Sequence, residues 1–375
     1  MHLSRLELSN FRNYAELDLT LELGLTVLFG QNAQGKTNVL EAIYLLSSGS
    51  SYRAASDKEV IRWGAPESER VARVTGWSGE LELQVLVPDM PGLGTKRVLL
   101  NGAGKRLADF VGRLPAVFFG PEQLDLVTGS PSHRRSYLDG ALSQTDRTYF
   151  RALSVYNRAL HQRNQLLKQF RERELNPEEL VYWDLQLVEA GSVISQRRAV
   201  CLRQLAGLAA EHHQQLAPGG GELALAYETK LFRGEGGWER LLTATTSELQ
   251  SEFRRWLAIE ADREMAQGTT VVGPHRDDLL LSLNGQSVDK FGSRGQQRTV
   301  ALALKLAELD LIREHTGETP ILLLDDVLSE LDEARRAALR EVIRSHEQVL
   351  LTTTERPDMP AVAAYTVRQG SLTAT

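Results

Sequence analysis

Eight residues near the start of the sequence have the types and spacing of a phosphate-binding loop. An apolar run ends at Phe29, and a helical pattern begins soon after a Gly-Lys-Thr triplet. Backbone N–H groups of such a loop converge on a polyphosphate, the lysine places a charge between the outer phosphates, and the threonine hydroxyl binds Mg²⁺. The predicted loop comprises Gly30, Gln31, Asn32, Ala33, Gln34, Gly35, Lys36 and Thr37, and Asn38 follows it.

A second candidate group lies near the other end of the sequence, where an all-apolar strand pattern ends in two carboxylates. The run from Ile321 to Leu324 leads directly into Asp325 and Asp326. A nucleotide-hydrolysing enzyme needs one acid to hold Mg²⁺ and a second to orient the attacking water. We therefore expect Asp325 to help bind Mg²⁺ and Asp326 to act in hydrolysis, although a strand that runs into an Asp-rich turn has the same pattern.

The third group, Ser293, Gly295 and Gln296, precedes an apolar helical pattern. The spacing of Ser293 and Gln296 is that of a capping box, so a simple helix start would explain it. A helix N-terminus that displays serine, glycine and backbone donors also binds anions. Because the sequence contains one phosphate loop, the second interpretation predicts that Ser293 acts in trans, on the γ-phosphate held by another copy of the chain.

The elements that must position these groups follow from the spacing of apolar residues. Alternating leucines between Leu6 and Leu23 predict a β-hairpin before the loop, and Asn101-Gly102 predicts a tight turn between two later strands. From about residue 132 the spacing becomes helical, and it predicts two long antiparallel helices separated by a break at Asn176-Pro177.

The first of these helical stretches is basic, whereas the whole chain is acidic. Residues 131–175 contain nine Lys or Arg and four Asp or Glu, in a sequence with a net charge of −6. A solvated helix face explains most charged helices, but arginine-rich faces also contact nucleic-acid phosphates. Under the nucleic-acid interpretation the candidate DNA contacts are Arg134, Arg135, Arg147 and Arg151.

The composition restricts the class of protein. With 375 residues the chain is long enough for two or three domains, and its 42% hydrophobic and 25% charged residues are typical of soluble globular proteins. The single cysteine, Cys201, excludes an intrachain disulfide. No apolar run reaches the roughly 18 residues of a membrane span. We therefore expect a cytoplasmic protein without a membrane partner.

The order of the three motifs resembles that of ATP-binding-cassette (ABC) ATPases of the SMC-like type. Other segments are more narrowly similar to the RecF family of bacterial recombination mediators, namely residues 10–14, 119–124, 134–139 and 273–279. The resemblance implies an α/β fold with an ABC-type ATPase head, whose mixed sheet and phosphate loop are formed by residues 1–125 together with 267–375. It also implies a mostly helical insertion at 126–266, a short antiparallel arm.

In function, the resemblance implies an ATP-dependent DNA-binding protein of recombinational repair and replication restart. Such a protein binds ATP and Mg²⁺, forms a homodimer in the ATP state, binds double-stranded or gapped DNA, and helps to load a recombinase. It works with RecO and RecR, and weak, DNA-dependent ATP hydrolysis serves as the release switch.

Carried over position by position, the resemblance assigns the loop to the phosphates and Asp325 to Mg²⁺. Ser293, Gly295 and Gln296 would reach the nucleotide of the partner copy. Either Glu122 or Gln123 would correspond to the glutamine of the family's Q-loop, and Arg12 would lie near the nucleotide.

Two departures from the usual ABC pattern affect the chemistry. Asp326 stands where most of these ATPases have glutamate, and its shorter side chain suggests slow hydrolysis. The usual histidine after the next strand is absent, which leaves Thr353 or Thr354 as candidates for the residue that senses the γ-phosphate.

Two other classes of protein share parts of this pattern. The ATPase subunit of an ABC transporter would have all three motifs, but its serine motif usually lies much closer to the loop than the 257 positions (293 minus 36) found here. A small-molecule kinase would need neither the serine motif nor the second acid. The pattern favours the DNA-binding ATPase over both alternatives.

Overall fold

The alternating leucines at the start of the chain form the predicted β-hairpin. Strand β1 (Arg5–Phe11) pairs with β2 (Tyr14–Thr20) in antiparallel register, so that Leu6 and Leu8 are buried on one face. The structure is a computed structural model and describes residues 2–90, 92, 95–169, 178–234 and 237–375. The predicted break at Asn176-Pro177 lies outside the described residues.

The remaining strands follow in chain order. They are β3 (Gly24–Phe29), β4 (Val71–Ser78), β5 (Leu81–Pro88), β6 (Arg97–Leu100), β7 (Ala103–Lys105), β8 (Ala116–Phe119), β9 (Leu223–Glu228), β10 (Asp278–Leu283), β11 (Gln286–Ser287), β12 (Ile321–Asp325), β13 (Gln348–Thr353), β14 (Ala363–Arg368) and β15 (Ser371–Ala374).

The α-helices of the described residues vary from a single turn to 39 residues in length. They are α1 (Lys36–Ser48), α2 (Leu107–Phe110), α3 (Asp125–Thr128), α4 (Pro131–Thr145), α5 (Arg147–Gln169), α6 (Glu178–Leu216), α7 (Arg240–Thr243), α8 (Thr246–Ile259), α9 (Ala261–Gln267), α10 (Val288–Phe291), α11 (Arg294–Thr316), α12 (Val327–Glu330) and α13 (Glu333–Ser345). The described residues also form 3₁₀ turns at Asp57–Val60, Glu67–Glu69 and Pro121–Leu124. Among the described residues, no helix combines the length and the apolar character needed to cross a bilayer.

Residues 2–123 and 305–375 form one compact unit, here called unit 1. It contains two six-stranded sheets, an antiparallel sheet in the order β2-β1-β4-β5-β6-β7 and a mixed sheet in the order β15-β14-β3-β13-β12-β8. Helix α1 contacts strands of both sheets and buries Val39, Leu40 and Ile43 between them. The α/β fold with a mixed sheet predicted from the sequence is confirmed.

The mixed sheet explains why the loop and the acids are close together. Strand β3 is parallel to β13, with Phe29 opposite Thr353, and β13 is parallel to β12, with Thr352 opposite Asp325. The carboxyl ends of parallel strands lie at the same edge of a sheet. The phosphate loop after β3 and the acids after β12 therefore share one edge, although they are far apart in the sequence.

Residues 124–304 form a second compact unit, here called unit 2. Its two long helices run antiparallel, because Arg163 of α5 contacts Asp184 at 2.5 Å and Tyr149 of α5 contacts Arg198 at 3.0 Å. A three-stranded antiparallel sheet in the order β11-β10-β9 completes this unit. The grouping of residues 267–304 with the ATPase head, predicted from the resemblance, stays a prediction.

Candidate functional site

The phosphate loop adopts a backbone that two of its glycines make possible. Gly30 and Gly35 have φ angles of 148° and 113°, which lie in the region that side chains disfavour. A Cβ atom at Gly30 would lie 2.6 Å from the carbonyl oxygen of Val367, and one at Gly35 would lie 2.5 Å from the Asn13 amide. Both positions therefore require glycine for backbone conformation and for space.

Lys36 begins helix α1 and folds back over the loop. Its ammonium donates to the carbonyl oxygens of Gly30 at 2.5 Å and Gln31 at 2.9 Å. Burial lowers the pKa of this ammonium, while the carboxylates of Asp326 and Asp325 act in the opposite direction. The lysine thus lies between the loop and both predicted acids, where a bound phosphate group would exchange these carbonyl contacts for charge-assisted ones.

Thr37 and Asp325 are brought together from opposite ends of the sequence. The Thr37 hydroxyl donates to a carboxylate oxygen of Asp325 at 2.8 Å, and Thr352 donates to the same oxygen at 2.6 Å. A hydroxyl and a carboxylate at this separation are the oxygen donors that Mg²⁺ uses beside a nucleotide. The residues present therefore fit a Mg²⁺ ion held by Thr37 and Asp325.

Asp326 lies beside this pair in an unusual backbone conformation. Its φ angle is 50°, and its N–H donates to the Thr352 hydroxyl at 3.0 Å and to the Thr352 carbonyl at 3.2 Å. These bonds fix the direction in which the chain leaves β12 and turn the Asp326 side chain toward the pocket that the loop lines. Asp326 therefore lines the same pocket as Lys36 and Thr37.

A buried carboxylate on α1 organises two arginines next to the loop. Glu41 is fully buried and accepts bonds from Arg12 at 2.5 and 2.9 Å, from Arg53 at 2.6 and 3.0 Å, and from the Ser51 hydroxyl at 2.6 Å. Burial tends to raise the pKa of Glu41, but these donors outweigh it and the net pKa is lowered. Removal of one partner from such a buried ion pair typically costs about 3–5 kcal/mol.

The two arginines differ in their relation to the site. Arg53 lines the pocket of about 330 Å³ around the loop, and its guanidinium also contacts the Asn38 amide. Arg12 does not line that pocket; it contacts Glu41 and the Glu59 carbonyl instead. The sequence pattern indicated Arg12 but not Arg53. The only feature of the sequence that marked Arg53 was its position 15 residues after Asn38, in a stretch rich in serine and glycine.

The remaining residues that were predicted to lie near the loop do not line its pocket. Pro121 lines the pocket, whereas neither Glu122 nor Gln123 does, although the Gln123 side-chain amide nitrogen is buried without a hydrogen-bond partner among the described residues. Thr352 lines the pocket, and the two threonines suggested as γ-phosphate sensors, Thr353 and Thr354, do not. Side chains alternate along β13, so Thr353 points to the face opposite Thr352, whereas Thr354 follows the end of the strand.

Ser293 caps helix α11 with the geometry that its spacing predicts. The Gln296 N–H donates to the Ser293 hydroxyl at 3.3 Å, and the Ser293 N–H donates to the Gln296 side chain at 2.8 Å. This reciprocal pair is a capping box. Ser293 and Gln296 are both exposed at the start of a 23-residue helix, in unit 2. The start of α11 is thus open to an external anion.

The structure places Arg134, one of the four predicted DNA contacts, in a buried ion pair. Its guanidinium is buried and binds both carboxylate oxygens of Asp278 at 2.7 Å, so it is engaged inside unit 2. Arg135 is half-buried and donates to the Asp277 carbonyl at 2.8 Å. Arg147 and Arg151, by contrast, are exposed on α5. The charge count identified a basic helical region but could not separate its buried residues from its surface.

The segment 273–279 forms part of a buried polar network in unit 2. Burial lowers the pKa of His275 to about 4, so the ring is neutral near pH 7. Its Nε2 donates to the Thr270 carbonyl at 3.1 Å, and its Nδ1 accepts a 2.6 Å bond from the Tyr156 hydroxyl. Burial raises the pKa of Asp277 to about 7, and its carboxylate accepts from Tyr227 at 3.0 Å. Arg198 joins the same network through Tyr227 and the Pro274 carbonyl. The segment therefore has a packing role.

A family model, named relatives and solved structures all match this chain over nearly its whole length. The model of the RecF/RecN/SMC N terminal domain matches residues 2–369. The DNA replication and repair protein RecF of Halalkalibacterium halodurans is 42% identical over 99% of both chains. The protein of that name from Geobacillus kaustophilus is 40% identical over the full length of both, and that from Bacillus subtilis is 38% identical over 99% of this chain and 97% of its own.

Solved structures show the same relationship. The chain is similar to the recombination mediator protein RecF-ATPrS in the RecFOR pathway, with a TM-score of 0.88, 30% identity and coverage of 100% of this chain and 98% of that one. The Smc head domain derived from Pyrococcus furiosus, at 17% identity and a TM-score of 0.52, shares the fold. On these matches and on the geometry of the phosphate loop, the chain belongs to the RecF family of SMC-like ATPases.

Proposed function

We propose that the chain is an ATP-dependent DNA-binding protein of replication and recombinational repair. It forms a homodimer when ATP binds, holds double-stranded or gapped DNA, helps to load a recombinase together with RecO and RecR, and acts in the cytoplasm. The observation that carries this proposal is the 2.8 Å contact between Thr37 and Asp325, which are 288 positions apart. That contact brings residues from both ends of the sequence together within unit 1, which supports a nucleotide site there.

The proposed site divides its work among residues of this chain. The loop from Gly30 to Thr37 holds the phosphates, with Asn38 at the start of α1, and Lys36 neutralises charge on the outer phosphates. Thr37 and Asp325 hold Mg²⁺, which supplies Lewis-acid stabilisation of the phosphate oxygens when it is bound. Arg53 lines the same pocket and adds a second cation, held in place by Glu41.

Hydrolysis in this proposal is slow and serves to release DNA. Asp326 orients the attacking water, and its side chain is one methylene shorter than the glutamate that most ABC ATPases have there. Among the described residues the same pocket contains no histidine, so charge on the γ-phosphate is met within the chain by Lys36 and Arg53. An enzyme with these features spends most of its time in the ATP state.

The trans residue of the proposal is Ser293, with Gly295 and Gln296. Its hydroxyl and the first N–H groups of α11 lie at the positive end of a long helix, which favours an anion. We propose that this group reaches the nucleotide of a second copy, and that residues 267–304 therefore act with the ATPase head. Bound ATP then bridges the two copies.

A DNA surface on unit 2 is tested by removing the exposed arginines of α5. Arg147 and Arg151 are joined by Arg158, which is exposed two helical turns after Arg151 on the same face. Conversion of all three to glutamine should reduce the slope of log affinity against log salt by about 2 to 3, because each phosphate contact contributes about 0.9. Fluorescence anisotropy with a gapped duplex measures this slope in the presence of ATP.

The matched control converts Arg254 and Arg255, two exposed arginines of α8, to glutamine. These changes also remove positive charge from unit 2 but leave α5 intact, so the salt slope should stay at the wild-type value. An equal loss of slope in both variants would show that net charge matters and not the α5 face.

A further inference from the structure

The hairpin β6–β7 at the end of the antiparallel sheet carries a basic groove that the nucleotide and DNA sites do not use. Residues 95–106 contain four lysines or arginines and no aspartate or glutamate, within a chain of net charge −6. The groove has a volume of about 580 Å³, and the side chains of Lys96, Arg97, Lys105 and Arg106 surround it. A concave volume of this size fits a peptide segment.

The floor of this groove is apolar. Leu86 and Leu99 are half-buried and line it, and Leu107 adds a third leucine at the start of α2. Leu86 pairs with Arg97, and Leu99 pairs with Gly104, so these side chains share one face of the sheet by register. A partner that fills the groove must therefore present apolar side chains to these leucines. It must also present charge to the rim, which consists of Lys96, Arg97, Lys105 and Arg106.

The rim charges are available to a ligand to different degrees. Lys96 is paired with Asp57 at 2.8 Å. Lys105 and Arg106 are exposed, and neither forms an ion pair with a carboxylate of the described residues. Because two adjacent cations lack an internal counterion, the groove favours a ligand with carboxylates spaced along its length.

Strand β7 also leaves a free edge beside the groove. Among the strands of the described residues it pairs only with β6, and all three of its residues are exposed. The hairpin closes at Asn101-Gly102, whose φ angles of 49° and 73° fit a two-residue turn, so Leu100 and Ala103 form a hydrogen-bonded pair. By the antiparallel alternation, the N–H and C=O of Gly104 point away from β6 and toward this edge.

We propose that this groove binds an extended acidic peptide segment of a partner protein, in which aspartate or glutamate alternates with leucine, isoleucine or phenylalanine. The peptide adds its backbone to the edge of β7 at Gly104 and places its apolar side chains on the leucine floor. Its carboxylates then meet Lys105 and Arg106. This combination is β-strand addition, in which backbone bonds supply affinity and alternate side chains supply specificity.

Gly104 makes a clean test possible. Its φ is not in the left-handed region, and a Cβ atom there would meet no described atom within 4 Å, so Gly104→Val should fold normally while its side chain fills the groove next to Leu99. Lys105→Gln with Arg106→Gln removes rim charge and leaves the floor intact. Arg254→Gln with Arg255→Gln is the matched control, since it removes two consecutive exposed cations elsewhere.

The experiment measures binding of the full chain to a fluorescein-labelled peptide of alternating aspartate and leucine. The wild type and the control pair should bind it equally. Gly104→Val and the Lys105/Arg106 pair should each weaken binding by about tenfold or more, equivalent to about 1.4 kcal/mol. A peptide of alternating aspartate and serine, with the same charge, should bind more weakly than the aspartate–leucine peptide because it cannot fill the leucine floor.

Two results would overturn the proposal. One is no measurable binding of the aspartate–leucine peptide by a wild-type chain that still unfolds cooperatively and binds ATP. The other is equal binding of both peptides that a duplex DNA competes away, with the salt slope for the duplex reduced in the Lys105/Arg106 pair. That second result would assign the groove to nucleic-acid phosphates instead. Neither result depends on the outcome for the α5 arginines.

Discussion

Replacing Lys36 with arginine should abolish ATP-driven dimerisation. The Lys36 ammonium fits between the Gly30 and Gln31 carbonyls, at 2.5 and 2.9 Å, in a partly buried position. A guanidinium is larger, planar and differently directed, so it cannot take the same place at the phosphates. Loss of one charge-assisted bond, at about 1.5–3 kcal/mol, lowers nucleotide affinity by roughly tenfold to a hundredfold.

Sedimentation velocity, at an ATP concentration that saturates the wild-type chain, measures the loss of dimer. The exposed Lys168 of α5 provides the control, because Lys168→Arg makes the same chemical change away from the pocket and should leave the dimer intact. A normal proportion of dimer in Lys36→Arg would remove the role assigned to this lysine.

Replacing Ser293 with arginine should separate nucleotide binding from dimerisation. Monomers should bind ATP as the wild type does, since the loop, Lys36 and Asp325 all lie in unit 1. Dimerisation and hydrolysis should fall to background, because a bulky cation would replace the hydroxyl that is proposed to meet the partner's γ-phosphate. Equilibrium binding of a fluorescent ATP analogue and steady-state ATPase rates measure the two properties separately.

The control for Ser293→Arg must also lose a helix cap and gain a positive charge. Thr245 supplies it, since its hydroxyl and Glu248 form a capping box at the start of α8 in the same unit. Both variants should lose about 1 kcal/mol of stability from the cap. Thr245→Arg should dimerise with ATP, and a failure to do so would attribute the Ser293 result to helix destabilisation. Weaker ATP binding by Ser293→Arg monomers would contradict the trans assignment.

The parts of the site that the sequence predicted are those set by regular elements. The loop follows directly from β3, and Asp325 ends an apolar strand, so the parallel sheet alone places Thr37 and Asp325 at one edge. The capping box of Ser293 and Gln296 is local and depends on four consecutive residues. In both cases the sequence pattern is itself the physical cause of the observed contact, so the pattern was sufficient to predict it.

The parts that the sequence did not predict depend on contacts between distant residues or on strand phase. Arg134 is neutralised by Asp278, 144 positions away, and no count of charges could show that pairing. Arg53 reaches the pocket because Glu41 holds it from α1. Thr352 lines the site and Thr353 does not, because the pleat of β13 turns adjacent side chains to opposite faces.

The most direct test of the central claim measures the wild-type chain by sedimentation velocity with ATP, with ADP and without nucleotide, each in the presence and absence of a gapped duplex. We predict monomers without nucleotide and with ADP, dimers with ATP, and co-sedimentation of the duplex with the ATP dimer only. A chain that stays monomeric with ATP while it binds the nucleotide, or that binds the duplex equally in all three states, would contradict the claim that bound ATP bridges two copies on DNA.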